Sequence, residues 1–174
     1  MKPEFSSRTT EKGNTEGRLS MNEIEKAYIA GFLDGDGCIM AQLIARADYK
    51  LRYQIRVSIV FYQKTCHQDF LLQLKEQLEI GYVRKRPDGM SEYTIVGLKE
   101  VAFVLKLLVP FLRLKKDLAL KVLEIVEKHP PQRKMTPDQL IELSKLVDET
   151  ARFNYSKKRS ITSKQVIEFF REKH

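Results

Sequence analysis

The chain has few residues that form disulfides or bind zinc. Its 174 residues include two cysteines, Cys38 and Cys66, and three histidines, His67, His129 and His174. Two cysteines do not make a disulfide framework, and neither residue type has the spacing of a zinc site. We therefore expect two free thiols in a reducing compartment.

Long apolar runs are also missing. No segment is apolar enough to span a membrane. The first twenty residues lack the apolar core of a secretory signal, and Glu4, Glu11 and Glu16 argue against a transit peptide. Because this stretch is polar and has no hydrophobic period, residues 1–20 are predicted to be a disordered tail before one domain at 21–174.

Positive charge is in excess. Lys and Arg total 31 against 23 acidic residues, which makes the net charge +8 and the pI about 9.4. Such a balance favours a polyanionic partner, and double-stranded nucleic acid comes before a membrane or a small-molecule substrate. At 43% hydrophobic residues, the chain is long enough to bury a core.

Hydrophobic periods predict the element order α-β-β-α-β-β-α followed by further helices. Ser20 with Glu23, or Asn22 with Glu25, forms a candidate capping box that opens the first helix, and Thr136 with Gln139 forms one for a later helix. Period-two runs at 39–46 and 54–61, and again at 81–86 and 92–96, predict two hairpins. The expected fold is α+β, with a four-stranded antiparallel, saddle-shaped sheet that has helices on one face.

Each hairpin alone is also compatible with an ordinary half-solvated sheet. Outward-phase arginines at 46, 56, 84 and 86 favour instead a β-ribbon that lies in the DNA major groove. A ribbon of about ten residues is roughly 33 Å long. It spans roughly ten base pairs, or about half of a long site.

The run Tyr28-Ile29-Ala30-Gly31-Phe32-Leu33-Asp34-Gly35-Asp36-Gly37 ends the first helix. Gly31 and Gly35 have the spacing of close helix–helix contact, and glycine after a helix suits a left-handed residue. Two carboxylates at the negative end of a helix favour a bound hard cation. The alternative is a solvated turn. An EF-hand loop is excluded, since its sixth and twelfth positions hold Ile39 and Ala45.

This run resembles the signature of the LAGLIDADG homing endonucleases, and it occurs once. The resemblance extends over nearly everything after Asn22 and is nearest to the single-motif homodimeric group encoded by introns of algal chloroplasts. It implies a homodimer that forms through the motif helix and cleaves DNA with Mg²⁺, for which Mn²⁺ or Ca²⁺ substitutes in binding. It also implies a chloroplast location.

The resemblance assigns roles residue by residue. Asp36 and the Gly35 carbonyl match the family's metal ligands, Gln63 matches a glutamine that orders water, and Lys115 matches a lysine near the scissile phosphate. His67 stands where relatives commonly have arginine or lysine. Taken singly, Gln63 is also compatible with a strand-end cap and Lys115 with a solvated helix start.

Two further sets complete the predicted site. The residues predicted to form the dimer interface are Tyr28, Ala30, Gly31, Leu33, Asp34 and Gly35. The residues predicted to contact DNA are Met40, Gln42, Ile44, Arg46, Tyr49, Gln54, Arg56, Ser58, Arg84, Arg86, Glu92, Thr94, Lys157 and Arg159. The basic loop that carries the last two is also compatible with a solvated connection.

The resulting prediction is a site-specific homing endonuclease that cuts both strands of a long, roughly palindromic DNA site and promotes intron homing. The alternative from another class is a nucleic-acid-binding protein without cleavage, such as an intron RNA maturase or a DNA-binding regulator. A pure binder has no need of Asp36, Gln63 and Lys115. A third reading, an interaction module that only dimerises, leaves the basic ribbons unexplained.

Overall fold

The computed structural model describes residues 21–131, 134–153 and 159–172. The predicted tail at 1–20 lies outside them. The elements follow the predicted order: α1 (Glu23–Asp36), β1 (Gly37–Ala45), β2 (Tyr53–Lys64), α2 (Gln68–Leu78), β3 (Tyr82–Lys85), β4 (Met90–Val96), α3 (Leu98–Leu108), α4 (Lys116–Lys128), α5 (Pro137–Glu149) and α6 (Ser163–Arg171). The α+β class is confirmed.

The four strands form one antiparallel sheet in the order β1-β2-β4-β3. In the first hairpin, Gly37 pairs with Phe61 and Ala45 with Tyr53. The two central strands join the hairpins, with Phe61 opposite Tyr93. The end of β2 therefore lies beside the start of β1, where α1 ends.

Alternation along the strands decides which sheet face meets the helices. The inward phase of β1 and β2 is apolar and packs under α1, α2 and α3, as the sequence predicts. Burial of this phase removes a large apolar area from water, which is the main term that stabilises such a fold. The buried strand residues of this phase are Ile39, Ala41, Leu43, Ile55, Val57, Ile59, Phe61, Tyr93 and Ile95.

Helix α1 begins as predicted and ends differently. Asn22 Oδ1 accepts from the Glu25 N–H at 2.9 Å, and Glu25 Oε2 accepts from the Asn22 N–H at 2.9 Å. The expectation of a left-handed residue at the exit is wrong, because Gly37 is extended, with φ −104°. Glycine is needed there for space, since a Cβ atom would lie 2.5 Å from Leu33 Cδ1 and 2.9 Å from its Cα.

The C-terminal helices pack beyond the sheet. Thr136 and Gln139 form the predicted capping box of α5. The helix ends at Glu149, and a 3₁₀ turn, Thr150–Phe153, follows it. The Thr150 hydroxyl donates to the Val147 carbonyl at 2.7 Å and occupies a carbonyl at the end of the helix.

Both cysteines are free thiols. None of the helices in the described part of the chain combines the length and the apolar character that crossing a membrane requires.

Candidate active site and nucleic-acid interface

The two motif carboxylates at the end of α1, Asp34 and Asp36, have different surroundings. Asp36 is exposed at the last position of the helix, beside exposed Gly35. The last carbonyls of a helix lack intrahelical donors. Leu33 O accepts from the Gly37 N–H, and Asp34 O accepts from Lys115 Nζ. No donor to the Gly35 carbonyl is present among the described residues, so Asp36 and Gly35 offer two oxygens at one surface point.

Asp34 is engaged within the chain. Its Oδ2 accepts from the N–H groups of Arg113 (2.8 Å) and Leu114 (3.1 Å), and its Oδ1 accepts from that of Lys115 (2.9 Å). Burial raises the pKa of this carboxyl, but the three backbone donors outweigh burial and hold it below its usual value. Asp34 is therefore an anionic anchor for residues 113–115.

Lys115 reaches the same point from α4. Its half-buried side chain donates to the Asp34 backbone carbonyl, one residue before Gly35. The end of α1, residues 34–37, which we call the motif turn, lines a cavity of about 500 Å³. The start of α4 and the first residues of β1, among them Cys38, line the same cavity. Burial raises the pKa of the Cys38 thiol, and the Lys115 ammonium only partly offsets this effect.

The end of β2 brings two more predicted residues to this edge of the sheet. Because Gly37 pairs with Phe61, Gln63 lies two residues beyond that pair, beside the motif turn. Its Oε1 accepts from the Lys64 N–H at 3.2 Å. His67 is exposed in the 3₁₀ turn Thr65–His67 that follows β2. The structure thus places Asp36, Gln63, Lys115 and His67 at one end of the molecule.

Asp36 and the Gly35 carbonyl fit a magnesium site whose other ligands are waters and substrate phosphates. No group of three His, Cys, Asp or Glu side chains able to hold a metal occurs in residues 21–131, 134–153 and 159–172. Magnesium usually keeps several waters and takes one or two protein carboxylates with substrate phosphates. One exposed carboxylate and one free carbonyl match that pattern.

The outward face of the sheet begins beside this site. Cross-strand pairing puts Met40 beside Ser58, Gln42 beside Arg56 and Ile44 beside Gln54. In the other hairpin, Arg84 pairs with Glu92, which pairs in turn with Tyr62 of β2. This face therefore carries arginines on both hairpins, Arg56 on the first and Arg84 on the second.

An arginine pair on this face shares one carboxylate. Arg84 Nε donates to Glu92 Oε1 at 2.6 Å, and Arg86 lies 3.8 Å from Glu92 Oε2. Arg86 also pairs with Asp88 at 2.7 Å. The hydrogen bond to Glu92 raises the pKa of Arg84. Glu92 thus orients both guanidinium groups while they keep free N–H donors on the outward side.

Comparison with known proteins assigns this arrangement to a family. Residues 29–126 match the family model described as LAGLIDADG endonuclease. The chain belongs to the LAGLIDADG endonuclease family. The match covers most of the motif helix, both hairpins, α2, α3 and most of α4, and so includes Asp36, Gln63, His67 and Lys115.

Two algal members of the family are similar over most of their length. The DNA endonuclease I-CvuI of Chlorella vulgaris is 41% identical over 147 residues, 84% of this chain and 90% of that protein. The DNA endonuclease I-CreI of Chlamydomonas reinhardtii is 40% identical over 139 residues, 80% and 84% of the two chains.

Solved structures of homing endonucleases are also similar to this chain. I-CvuI in complex with its target in the presence of calcium matches with a TM-score of 0.81 at 40% identity, over 86% of this chain and 94% of that one. I-CvuI on the I-CreI target in the presence of magnesium, with the DNA not cleaved, matches with a TM-score of 0.82. The archaeal enzyme I-Vdi141I, bound to DNA, shares the fold at 19% identity and a TM-score of 0.76.

Within this LAGLIDADG fold, two arginines predicted to contact DNA also bind groups of the protein itself. Arg46 forms a two-pronged pair with Asp48, at 2.9 and 2.8 Å, and also donates to Gln54. The hydrogen bond from Arg46 lowers the pKa of Asp48 to about 2. Arg159 is half-buried, and it donates to Ala41 O at 3.1 Å and to Thr150 Oγ1 at 2.6 Å.

Arg159 is a correction to the prediction. Strand β1 is at one edge of the sheet, so the backbone carbonyls on its unpaired side need hydrogen-bond donors. The Arg159 guanidinium satisfies one of them, and burial lowers its pKa. Its role is to attach the segment after α5 to the edge of β1. The predicted contact at Lys157 lies outside the described residues.

Three other predicted contacts are covered by their neighbours. Ser58, Thr94 and Glu92 are only 2%, 4% and 7% exposed. Each lies on a central strand with a paired residue on both sides, which the sequence alone does not reveal. They line the floor of the face. Exposed Gln42, Arg46, Arg56, Arg84 and Arg86 and half-buried Met40, Ile44, Tyr49 and Gln54 remain available for DNA.

Tyr62 is a residue of this face that the sequence analysis missed. It pairs with Glu92 and is half-buried, close enough to the arginine pair for their charges to act on it. Burial raises the pKa of its hydroxyl, so it is a neutral donor at pH 7. The signal was available, because Tyr62 continues the period-two phase of Arg56 and Ser58.

Some residues of the predicted dimer face are buried within the protomer, and others are exposed. Ala30 and Leu33 are fully buried in the protomer's own core, so their assignment to the interface is wrong. Helix periodicity explains this result, because these positions lie on the opposite side of α1. The remaining exposed positions form a stripe with Leu114, which we call the α1 stripe: Ile24, Tyr28, Gly31, Gly35 and Leu114.

Proposed function

We propose that this chain is a site-specific homing endonuclease that cuts both strands of a long, roughly palindromic DNA site and so promotes intron homing. The observation that carries the proposal is that the end of α1, the end of β2 and Lys115 lie at one end of an arginine-bearing sheet face, which supports a shared site for Asp36, Gln63 and Lys115. The two algal relatives at about 40% identity are named as DNA endonucleases. Their algal origin also supports a chloroplast location.

The cofactor we propose is Mg²⁺, held by the Asp36 carboxylate and the Gly35 carbonyl. When bound, such an ion polarises the phosphoryl oxygens and lowers the pKa of a water that attacks phosphorus. Lys115 contributes a positive charge at the same point and stabilises charge that develops on the phosphate. Gln63 holds waters by its amide, and His67 offers a ring donor to phosphate or water from the exposed turn.

The active form we propose is a homodimer that joins through the α1 stripe. A Cβ atom on Gly31 or Gly35 would meet nothing within 4 Å in the protomer, so its own fold does not require these glycines. Ile24 and Leu114 are 81% and 79% exposed, which is unusual for side chains this apolar. A second copy across a two-fold axis buries all of them and brings two Asp36 residues together.

Bases are read away from the cut, by the outward face of both hairpins. A ribbon of this kind enters the major groove, where each base pair presents a distinct set of donors and acceptors. The two-fold axis repeats the contacts in the second half-site. The target is therefore a palindrome whose outer positions are specified by direct contacts.

A randomised target library tests the proposal. Duplexes with symmetric variation in both half-sites are incubated with the protein, with and without Mg²⁺, and the cut and the retained molecules are sequenced separately. We expect symmetric sites that are bound without Mg²⁺ and cut on both strands with it. Retention of a defined site without any cutting would favour a nucleic-acid-binding protein over an endonuclease.

Replacing Arg86 with alanine is expected to relax base preference at only a few positions, the same ones in each half-site. A two-pronged contact between arginine and guanine is worth about 1–3 kcal/mol of discrimination. Cutting of a saturating, preferred site should stay near normal, because Arg86 lies at the β3–β4 turn, on the opposite edge of the sheet from β1, and is not among the residues that we assign to the metal or the scissile phosphate. The library readout, repeated with the variant, measures both effects.

Lys85→Ala is the matched control. Lys85 is the exposed last residue of β3, directly before Arg86, and its replacement loses the same charge, but its side chain has the opposite phase. It should leave base preference unchanged. If Arg86→Ala and Lys85→Ala both weaken all sequences equally, the hairpin is an electrostatic clamp and does not read bases.

A further inference from the structure

We propose that Asp34 is a positioning residue for cleavage, which holds Lys115 against the end of the motif helix by binding the backbone of residues 113–115. The inference rests on the proposed function, since it concerns how the cleavage site is held together. The motif's two aspartates then have separate roles. Asp36 faces the DNA, while Asp34 builds the site from inside the protomer.

The start of α4 has no cap from its own sequence. The residue at the cap position is Lys115, and its side chain makes no capping hydrogen bond. A carboxylate beside the start of a helix is favourable, because this end of the helix is positive. Asp34 binds the three N–H groups that lead into α4, those of Arg113, Leu114 and Lys115, from 79 to 81 residues earlier in the chain.

The contact between the two segments is reciprocal. The Asp34 carboxylate accepts from the backbone of residues 113–115, and the Lys115 ammonium donates to the Asp34 backbone carbonyl. The negative end of α1 thus meets the positive end of α4, and hydrogen bonds run between the two segments in both directions. Lys115 cannot move relative to Gly35 and Asp36 without breaking these bonds.

The same contact connects the site to the proposed interface. Leu114, between two of the bonded N–H groups, is 79% exposed and belongs to the α1 stripe. Loss of the Asp34 carboxylate therefore releases a segment that carries the proposed catalytic lysine and one apolar residue of the dimer face. A residue that only stabilised the fold would affect neither in particular.

A double-mutant cycle tests the inference. Asp34→Asn, Lys115→Ala and the double variant are compared with wild type for the single-turnover rate on a duplex from the library, at saturating protein and with Mg²⁺. Binding of the same duplex is measured in Ca²⁺. We expect Asp34→Asn to cut about 100-fold more slowly, as a catalytic group misplaced by about 1 Å does, while binding changes little. The double variant should be no slower than Lys115→Ala alone.

Asp148→Asn is the matched control. Asp148 is another acidic side chain that accepts from the start of a helix distant in sequence, at 2.8 Å from the Ser163 N–H, and it lies outside the proposed site. It should lower the melting temperature without slowing cleavage. If Asp34→Asn does not fold by circular dichroism, the cycle is run with Asp34→Ser, whose hydroxyl keeps one acceptor.

Two results would overturn the inference. One is an Asp34 variant that cuts at the wild-type rate. The other is a double variant whose loss equals the product of the single losses, because independent effects multiply. A wild-type protein that cuts no duplex counts against the proposed function itself, so the two failures are distinguishable.

Discussion

Replacing Asp36 with asparagine is expected to abolish cleavage and leave DNA binding largely intact. The exposed carboxylate is the only side-chain ligand that we assign to the metal, and an amide is a weaker ligand for a hard cation. Metal stabilisation of the transition state is worth several kcal/mol, which corresponds to a loss on the order of 1,000-fold or more. Single-turnover cleavage and Ca²⁺-supported binding of one duplex measure the two properties.

Binding should even strengthen slightly without Mg²⁺, because the change removes a negative charge that faces phosphate. The matched control is Asp138→Asn, in the first turn of α5, which removes the same charge from an exposed position far along the chain. It should cut normally. Wild-type cleavage by Asp36→Asn would end the metal hypothesis.

Replacing Gly31 with leucine is expected to dissociate the proposed dimer while leaving the protomer folded. Space around Gly31 is open in the protomer, and leucine has a higher helix propensity than glycine. At a close helix pair the added side chain overpacks by about 1–3 kcal/mol, and the two-fold axis repeats it. The total of about 2–6 kcal/mol weakens association by at least about thirtyfold.

Sedimentation over a concentration series measures this loss, and the melting temperature of the dilute protein shows that the protomer remains folded. Gln73→Leu, which adds the same side chain to the exposed side of α2, is the control and should not change the mass. An undisturbed dimer in Gly31→Leu would place the interface elsewhere than on the α1 stripe.

Local patterns were sufficient for most of the fold. Asn22 with Glu25 and Thr136 with Gln139 open their helices as predicted, since a capping box depends only on residues three apart. The phase of each strand follows from alternation, which separates core residues such as Ile59 from outward residues such as Arg56.

Predictions about which outward residues are accessible were less successful. Alternation places Ser58 and Thr94 on the DNA side, but their coverage depends on which strands flank them. Arg159 shows the same limit. A guanidinium is counted as a DNA contact until the fold reveals an edge carbonyl that it binds within the protein.

The sequence by itself determined the element order, the core face of the sheet, the basic character and the family signature, because all of these depend on short-range spacing and composition. Only the tertiary structure decided what each motif aspartate does. Asp34 and Asp36 are two residues apart and chemically identical, yet a helix turn points Asp34 toward residues 113–115 and leaves Asp36 exposed. Contacts between groups about 80 positions apart depend on how the helices pack, and no local pattern encodes that packing.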